Sequence, residues 1–283
     1  MTDIQSLLNK QDFIELSARE RAKALLDEGT FRELLDPFAC VMSPWLVQQN
    51  IVPQADDGVV IAKGTIQKHP VVLISIEGLF QGGSLGEVGG AKIAGALELA
   101  VEDNLKGIPT AAILLLETGG VRLQEANLGL AAIAEIQAAI VNLRQYQPVI
   151  AVVAGSVGCF GGMSIAAGLC SYIVMTQEGR LGLNGPQVIE QEAGVQEYNA
   201  KDRPFIWSIT GGNQRFTSGL ADAYVDDDRQ KIRQQVIAYL TQGVPHQHRS
   251  SNYSFYLEKL QQVDTAEQIT PAQVQALYQG EQA

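Results

Sequence analysis

Two glycine doublets carry the chemistry this sequence can do. The first closes the apolar run in "LETGGVRLQEANLG", residues 116–129, as Gly119-Gly120. The second is Gly161-Gly162 in "SVGCFGGMS", residues 156–164. One glycine is enough to turn a chain. Two in a row leave main-chain amides with no side chain to cover them, and bare N–H groups at a helix start attract oxygen anions. Two such turns converging could hold charge developing on a thioester carbonyl, where one good donor is worth about 3–4 kcal/mol of barrier. The alternative is packing alone, because glycine also serves tight turns and close helix–strand approach.

The neighbours of these turns are the remaining candidates. Val121, Arg122, Gln124 and Glu125 follow the first doublet. They read either as contacts to a carboxylate or a partner's substrate, or as the solvated first turn of a helix. Cys159 and Phe160 lie inside the second turn. A thiol at a helix N-terminus is a conceivable nucleophile. With no histidine nearby in sequence, Cys159 reads better as a small packing residue. Gly185-Pro186 opens a further short helix, with proline at its first position. Cys40 and Cys170 read as core fillers, and His69, His246 and His248 as solvated surface residues. Metal-ligand spacing is missing, as are the phosphate-loop, dinucleotide and nucleophile-elbow patterns.

The elements that must position these turns follow from the apolar pattern. "AAILLLE" (111–117), "PVIAVVAG" (148–155) and "YIVMT" (172–176) are strands without polar alternation, separated by helical segments. That is a parallel sheet covered on both faces, an α/β fold. "GVVIAKGTIQKHPVVLISIE" (58–77) reads as a hairpin turning at "QKHP". Ser17 with Glu20 is a capping box, Gly29 a helix stop, and Thr30 with Glu33 a further short helix. Ser84 with Glu87 has the same box spacing ahead of "EVGGAKIAGALELAVEDN". A long helix is expected over 121–146, a loop then a short strand over "GGNQRFTSGLADAYVDD", and amphipathic helix from 228 onward. No repeat of 20–50 residues stands out, although the strand, glycine turn, helix unit occurs twice. The expected organisation is a helical arm (1–50), a main domain (51–245) and a polar helical tail (246–283).

The 283 residues are 46% hydrophobic and 18% charged, enough for a full core, with net charge −11. That sign disfavours nucleic acid and anionic membrane as partners. Three cysteines without paired spacing suggest a reducing compartment. With no apolar signal core in "MTDIQSLLNKQDF" and no bilayer-length apolar run, a cytoplasmic protein is expected.

Three ordered motifs carry a family resemblance. "GSLGEVGGAKIAGALELAVEDN", "ETGGVRLQEA" and "LGLNGPQVIEQ" resemble the core of carboxyltransferase β subunits over roughly residues 58–226. The variants "VGCFGGMS", "NGPQVIEQEAG" and "RPFIWSITGG" are more similar to the β subunits of biotin-independent malonate decarboxylases, over nearly the whole chain. The carboxylase subunits usually begin with a four-cysteine zinc ribbon, whereas residues 1–50 hold only Cys40, so no such zinc site is expected. A Met-Lys-Met biotinyl segment is also missing. The resemblance implies a crotonase-like (ClpP/crotonase) β-β-α superhelix. It implies a γ subunit of the same fold, an acyl carrier (δ) subunit with a CoA-like phosphopantetheine arm, and an α transferase subunit. It implies decarboxylation of the malonyl thioester, with an enolate held at Gly119, Gly120, Gly161 and Gly162. Carriers of this kind are generally acidic, and like charges repel over about a Debye length of 8 Å. A local basic patch, or the partner subunit, is therefore the expected docking place.

Overall fold

A computed structural model describes residues 12–50, 58–264 and 269–279. The first eleven residues of the expected arm and its boundary with the main domain lie outside them.

Among the described residues the main sheet has seven strands, in the order β1 (Arg32–Leu34), β2 (Val59–Ile66), β3 (His69–Ile76), β5 (Ala111–Leu115), β7 (Val149–Val153), β8 (Tyr172–Thr176), β9 (Ala223–Val225). β1, β2 and β3 pair antiparallel, and every pairing from β3 to β9 is parallel. The unalternating apolar runs are explained by burial on both faces. In β7, Val149, Ala151 and Val153 join the core beneath helices α2 (Glu87–Leu105), α3 (Asn127–Leu143) and α4 (Gly162–Leu169). Ile150 and Val152 face the opposite core, closed by α1 (Ala18–Leu25) and α8 (Arg229–Gln242).

A second layer crosses the C-terminal edge of the sheet. β4 (Ser84–Leu85) pairs parallel with β6 (Gly120–Val121), and single bridges continue the layer from Thr118 to Cys159 to Leu181. Each turn of the fold is therefore a main-sheet strand, a short second-layer strand and a helix. The path repeats four times: β3–β4–α2, β5–β6–α3, β7–Cys159–α4, and β8–Leu181–α5 (Pro186–Ala193). This is the expected β-β-α superhelix. The sequence showed the unit twice, because the backbone path recurs while the residues do not.

Several local expectations are corrected. The Ser17–Glu20 box is present, with Ser17 N–H donating to Glu20 Oε2 at 3.0 Å. α1 ends at Leu25, short of Gly29. Thr30 and Glu33 start no helix; Glu33 lies in edge strand β1, where pairing with β2 takes its backbone groups. Ser84 is no cap, since it lies in β4 and Gly86 is the N-cap of α2. The helix expected over 121–146 begins only at Asn127, because Gly120-Val121 is drawn into the second layer. The expected loop after Thr210 contains α7 (Gly212–Thr217), following α6 (Arg203–Thr210). Past α8, the tail adds α9 (Tyr253–Gln261) and α10 (Pro271–Gln279).

The hairpin turns at Gln67-Lys68, both with positive φ. Asp27 holds it: its carboxylate accepts from Gln67 N (3.0 Å), Lys68 N (2.9 Å), Thr65 Oγ1 (2.7 Å) and Arg233 Nη2 (2.6 Å). Burial pushes the Asp27 carboxyl up, but the hydrogen bonds from Lys68, Thr65 and Gln67, with the charge of Arg233, carry it below the ordinary 3.8. A carboxyl depressed by folding stabilises the native state above its unfolded value, and that contribution disappears as pH falls below about 3.8. Asp27→Asn is expected to cost about 1.5–3 kcal/mol at neutral pH. It should also flatten the acid limb of the stability curve, as read by urea melts between pH 3 and 7.

Candidate active site at the glycine turns

The two doublets meet backbone to backbone. Gly120 has φ +104° and Gly161 φ +63°, a region that disfavours residues with side chains. A Cβ placed on Gly120 would lie 3.2 Å from Gly161 Cα and 3.2 Å from Phe160 O. One placed on Gly161 would lie 3.1 Å from Gly120 Cα. The second layer sets this approach: Thr118 N donates to Gly158 O at 2.7 Å, Phe160 N to Thr118 O at 3.0 Å, and Cys159 N to Arg180 O at 2.8 Å.

Three of the four glycine amides are already used. Gly119 N donates to Gly82 O (2.9 Å), Gly120 N to Thr118 Oγ1 (3.0 Å) and Gly161 N to Leu183 O (2.7 Å). The exception is Gly162. With Met163 it opens α4, whose N-cap Gly161 gives no side-chain bond, and neither N–H has an acceptor among the described residues. These are two of the orphan donors every helix start carries, at the positive end of its dipole. Gly162 also packs where a Cβ would lie 2.8 Å from Ile133 Cγ2, so α4 sits tight on α3. The Val121 nitrogen borders the same spot, 3.9 Å from a Cβ placed on Gly161.

Arg122 does not open a helix. It is 7% exposed, with extended backbone ahead of a 3-10 turn at Leu123–Glu125. Its guanidinium donates to Glu125 Oε2 (3.0 Å) and Ser84 O (2.8 Å), and lies 5.6 Å from the Phe80 ring centre. Glu125, 2% exposed, accepts from Glu87 N at 3.1 Å and so caps α2. A Cβ on Gly86 would fall 1.4 Å from Glu125 Oε2, which explains the glycine there. The pair stitches the 83–86 loop to the first turn. Gln124 and Leu123 are exposed beside it. Gly185 is the N-cap and Pro186 the first residue of α5; Leu183, just ahead, supplies the carbonyl bonded by Gly161. Thus the third turn joins the other two, and Gln124 faces outward.

Phe160 is buried, its ring 5.6 Å from the Arg180 guanidinium. Cys159 is fully buried; burial, then the neighbouring Cys170, pushes its thiol far above the ordinary range. Burial likewise pushes Cys170 up to about 12. Neither is a nucleophile near neutral pH. Cys40, expected in the core, is exposed. A thiol reagent at pH 8 is expected to label Cys40 alone in the native chain and all three cysteines in denaturant, as counted by intact mass. His248, expected on the surface, is half-buried; burial, then Arg144 and Arg249, lower its pKa. Among the described residues no group of three His, Cys, Asp or Glu side chains could hold a metal. Nor is any helix of theirs long and apolar enough to cross a membrane.

Sequence reasoning missed the internal acceptors, Thr118 Oγ1 and the carbonyls of Gly82 and Leu183. Only the pairing of three separate turns brings them to the glycines.

A β-β-α superhelix with glycine turns at its second layer defines the class. The carboxyl transferase domain pattern matches residues 15–281, and the chain belongs to that family. Among relatives, it is 68% identical to a chain of a Pseudomonas malonate decarboxylase hetero-tetramer solved in complex with malonate. The TM-score is 0.93, covering 98% of this chain and 100% of that one. It is 60% identical to a chain of a Pseudomonas malonate decarboxylase MdcD-MdcE hetero-dimer, with TM-score 0.76 over 90% and 98%. It is 42% identical, over 82% of its own length and 76% of the relative's, to the malonyl-S-ACP:biotin-protein carboxyltransferase MADC of Malonomonas rubra.

Proposed function

We propose that this chain, as the β subunit of a malonate decarboxylase, releases CO2 from a malonyl thioester carried on an acyl carrier protein. Breaking the bond to the carboxylate leaves its electron pair on the thioester, as an enolate. The enolate oxygen is the former carbonyl oxygen, so the thioester itself accepts the electrons. The protein must supply N–H donors aimed at that oxygen before the charge forms. The observation that carries this reading is the first turn of α4, where Gly162 N–H and Met163 N–H have no acceptor among the described residues and Gly120 and Gly161 touch. Gly119, Gly120 and Gly161 shape the site rather than donate to it. Val121, Phe160 and the Gly185-Pro186 turn form its walls. Protonation of the enolate carbon then yields the acetyl thioester.

The site needs a second wall. Leu123, beside the first turn, and Leu183 and Val188, on either side of the Gly185-Pro186 turn, are exposed apolar side chains. A γ subunit of the same fold covers them in this reading, and the MdcD-MdcE hetero-dimer of the Pseudomonas relative supports that. The carrier arm is phosphopantetheine-type, and an α transferase recharges it. The arm (1–50) and the tail (246–283) flank the 51–245 domain as interface elements; in the tail, Tyr253, Leu257 and Leu260 of α9 are exposed.

A second reading rests on the Malonomonas relative, whose name makes a biotin protein the carboxyl acceptor. The shared step is cleavage of the same bond; the acceptor differs. CO2 release from malonyl carrier protein by the β–γ pair, without biotin and with avidin present, decides between them. Turnover that needs both chains and ignores avidin supports direct decarboxylation. Turnover appearing only with a biotinylated acceptor moves the chain to the transferases.

A further inference from the structure

Beneath the two glycine turns lies a buried charge that the steps above do not use. Glu117 stands at the C-terminal edge of β5, two residues before Gly119, and is 5% exposed. Arg21 Nη1, from α1, donates to Glu117 Oε2, and both side chains of this ion pair are buried. The other oxygen, Oε1, accepts from Ser156 Oγ and from Val157 N, each at 3.2 Å. Arg21 is itself fixed, donating to Phe13 O (3.2 Å) and Ile14 O (2.8 Å).

The surrounding chain is cut back to make room for this carboxylate. A Cβ on Gly78 would lie 2.6 Å from Glu117 Cδ, and one on Gly155 2.1 Å from it. Gly83 passes so near that its Cβ would sit 1.9 Å from Glu117 O. Three neighbouring segments thus give up side chains around one residue. Ser156 and Val157 belong to the segment that runs directly into Gly161-Gly162, while Glu117's own backbone runs into Gly119-Gly120. One carboxylate therefore spans both turns.

We infer that Glu117, with Arg21 as its counter-charge, is the positioning residue that holds the Gly120 turn against the Gly161 turn. This rests on the decarboxylase reading above. An apolar side chain would fill the same space without fixing direction, whereas a carboxylate with three donors is held along defined bonds. Fixed direction matters here because a misplacement of about 1 Å at a reacting centre can cost about a hundredfold in rate.

The test uses the assembled β–γ complex and malonyl carrier protein. Glu117→Gln keeps the volume but removes the ion pair. It is expected to lower kcat roughly 10- to 100-fold, with KM within about twofold because no substrate contact is lost. The double variant Glu117→Gln/Arg21→Met removes both charges; it should recover the melting temperature but not kcat. A merely structural pair would recover both together. Ser156→Ala, which deletes one hydrogen bond to Glu117, is expected to lower kcat severalfold and serves if Glu117→Gln fails to assemble. Wild-type kcat in assembled Glu117→Gln, or in Ser156→Ala where only that one assembles, overturns the inference while wild-type turnover leaves the decarboxylase reading intact. No CO2 release by the wild-type complex overturns that reading, and the inference with it.

Discussion

Gly120→Ala is expected to lower CO2 release by the assembled complex about a hundredfold while the chain still folds. Two independent costs act at this position. At φ +104° an alanine is strained, by about 1–3 kcal/mol for a residue with a side chain. The new methyl would also press on backbone at 3.2 Å on two sides, Gly161 Cα and Phe160 O. Backbone cannot swing aside as a side chain can, so the turns must part by a few tenths of an ångström. That shifts the first turn of α4, where the free N–H groups are. Gly161→Ala opens the same contact and should give a similar loss, with the double variant little worse than either, because contacting sites are not additive. Gly95→Ala is the control. It lies inside α2 with nothing within 4 Å of a new Cβ, so it should stabilise by about 0.5–1 kcal/mol and leave turnover unchanged. Gly120→Ala with near wild-type turnover would show that the turns merely pack.

The second large effect is on stability. Arg122→Met is expected to cost about 3–5 kcal/mol, because it strands Glu125 as an unpaired buried charge. For a chain of this size that is a fall in melting temperature on the order of 10 °C. The Arg122 and Glu125 side chains are 8% and 1% exposed, too little for water to screen the loss. Glu125 also caps α2 through Glu87 N, so the damage spreads to the 83–86 loop. Adding Glu125→Gln should recover part of the stability by removing the stranded charge. The alternative is that Arg122 grips substrate. In that case Arg122→Met would leave the melting temperature near wild type and raise KM. Calorimetry beside steady-state kinetics on one preparation separates the two.

What the sequence determined by itself is the layered α/β architecture and the place of the glycine doublets. Both follow from local physics: strands buried on two faces read as unbroken apolar runs, and one glycine of each doublet, Gly120 and Gly161, takes a positive φ that strains residues with side chains. The hairpin, the capping box at Ser17 and the proline start of α5 were legible for the same reason, since each signal lies within a few residues. What the tertiary structure alone decided is which amides remain free. The acceptors for Gly119, Gly120 and Gly161 are Gly82 O, Thr118 Oγ1 and Leu183 O, and two of these come from other turns of the superhelix. It likewise decided that Arg122 turns inward to Glu125, and that Glu117 meets Arg21, 96 residues away in sequence. A hydrogen bond between distant segments leaves no period or spacing in either one. It exists only once β4 and β6 pair and the second layer closes over the sheet edge.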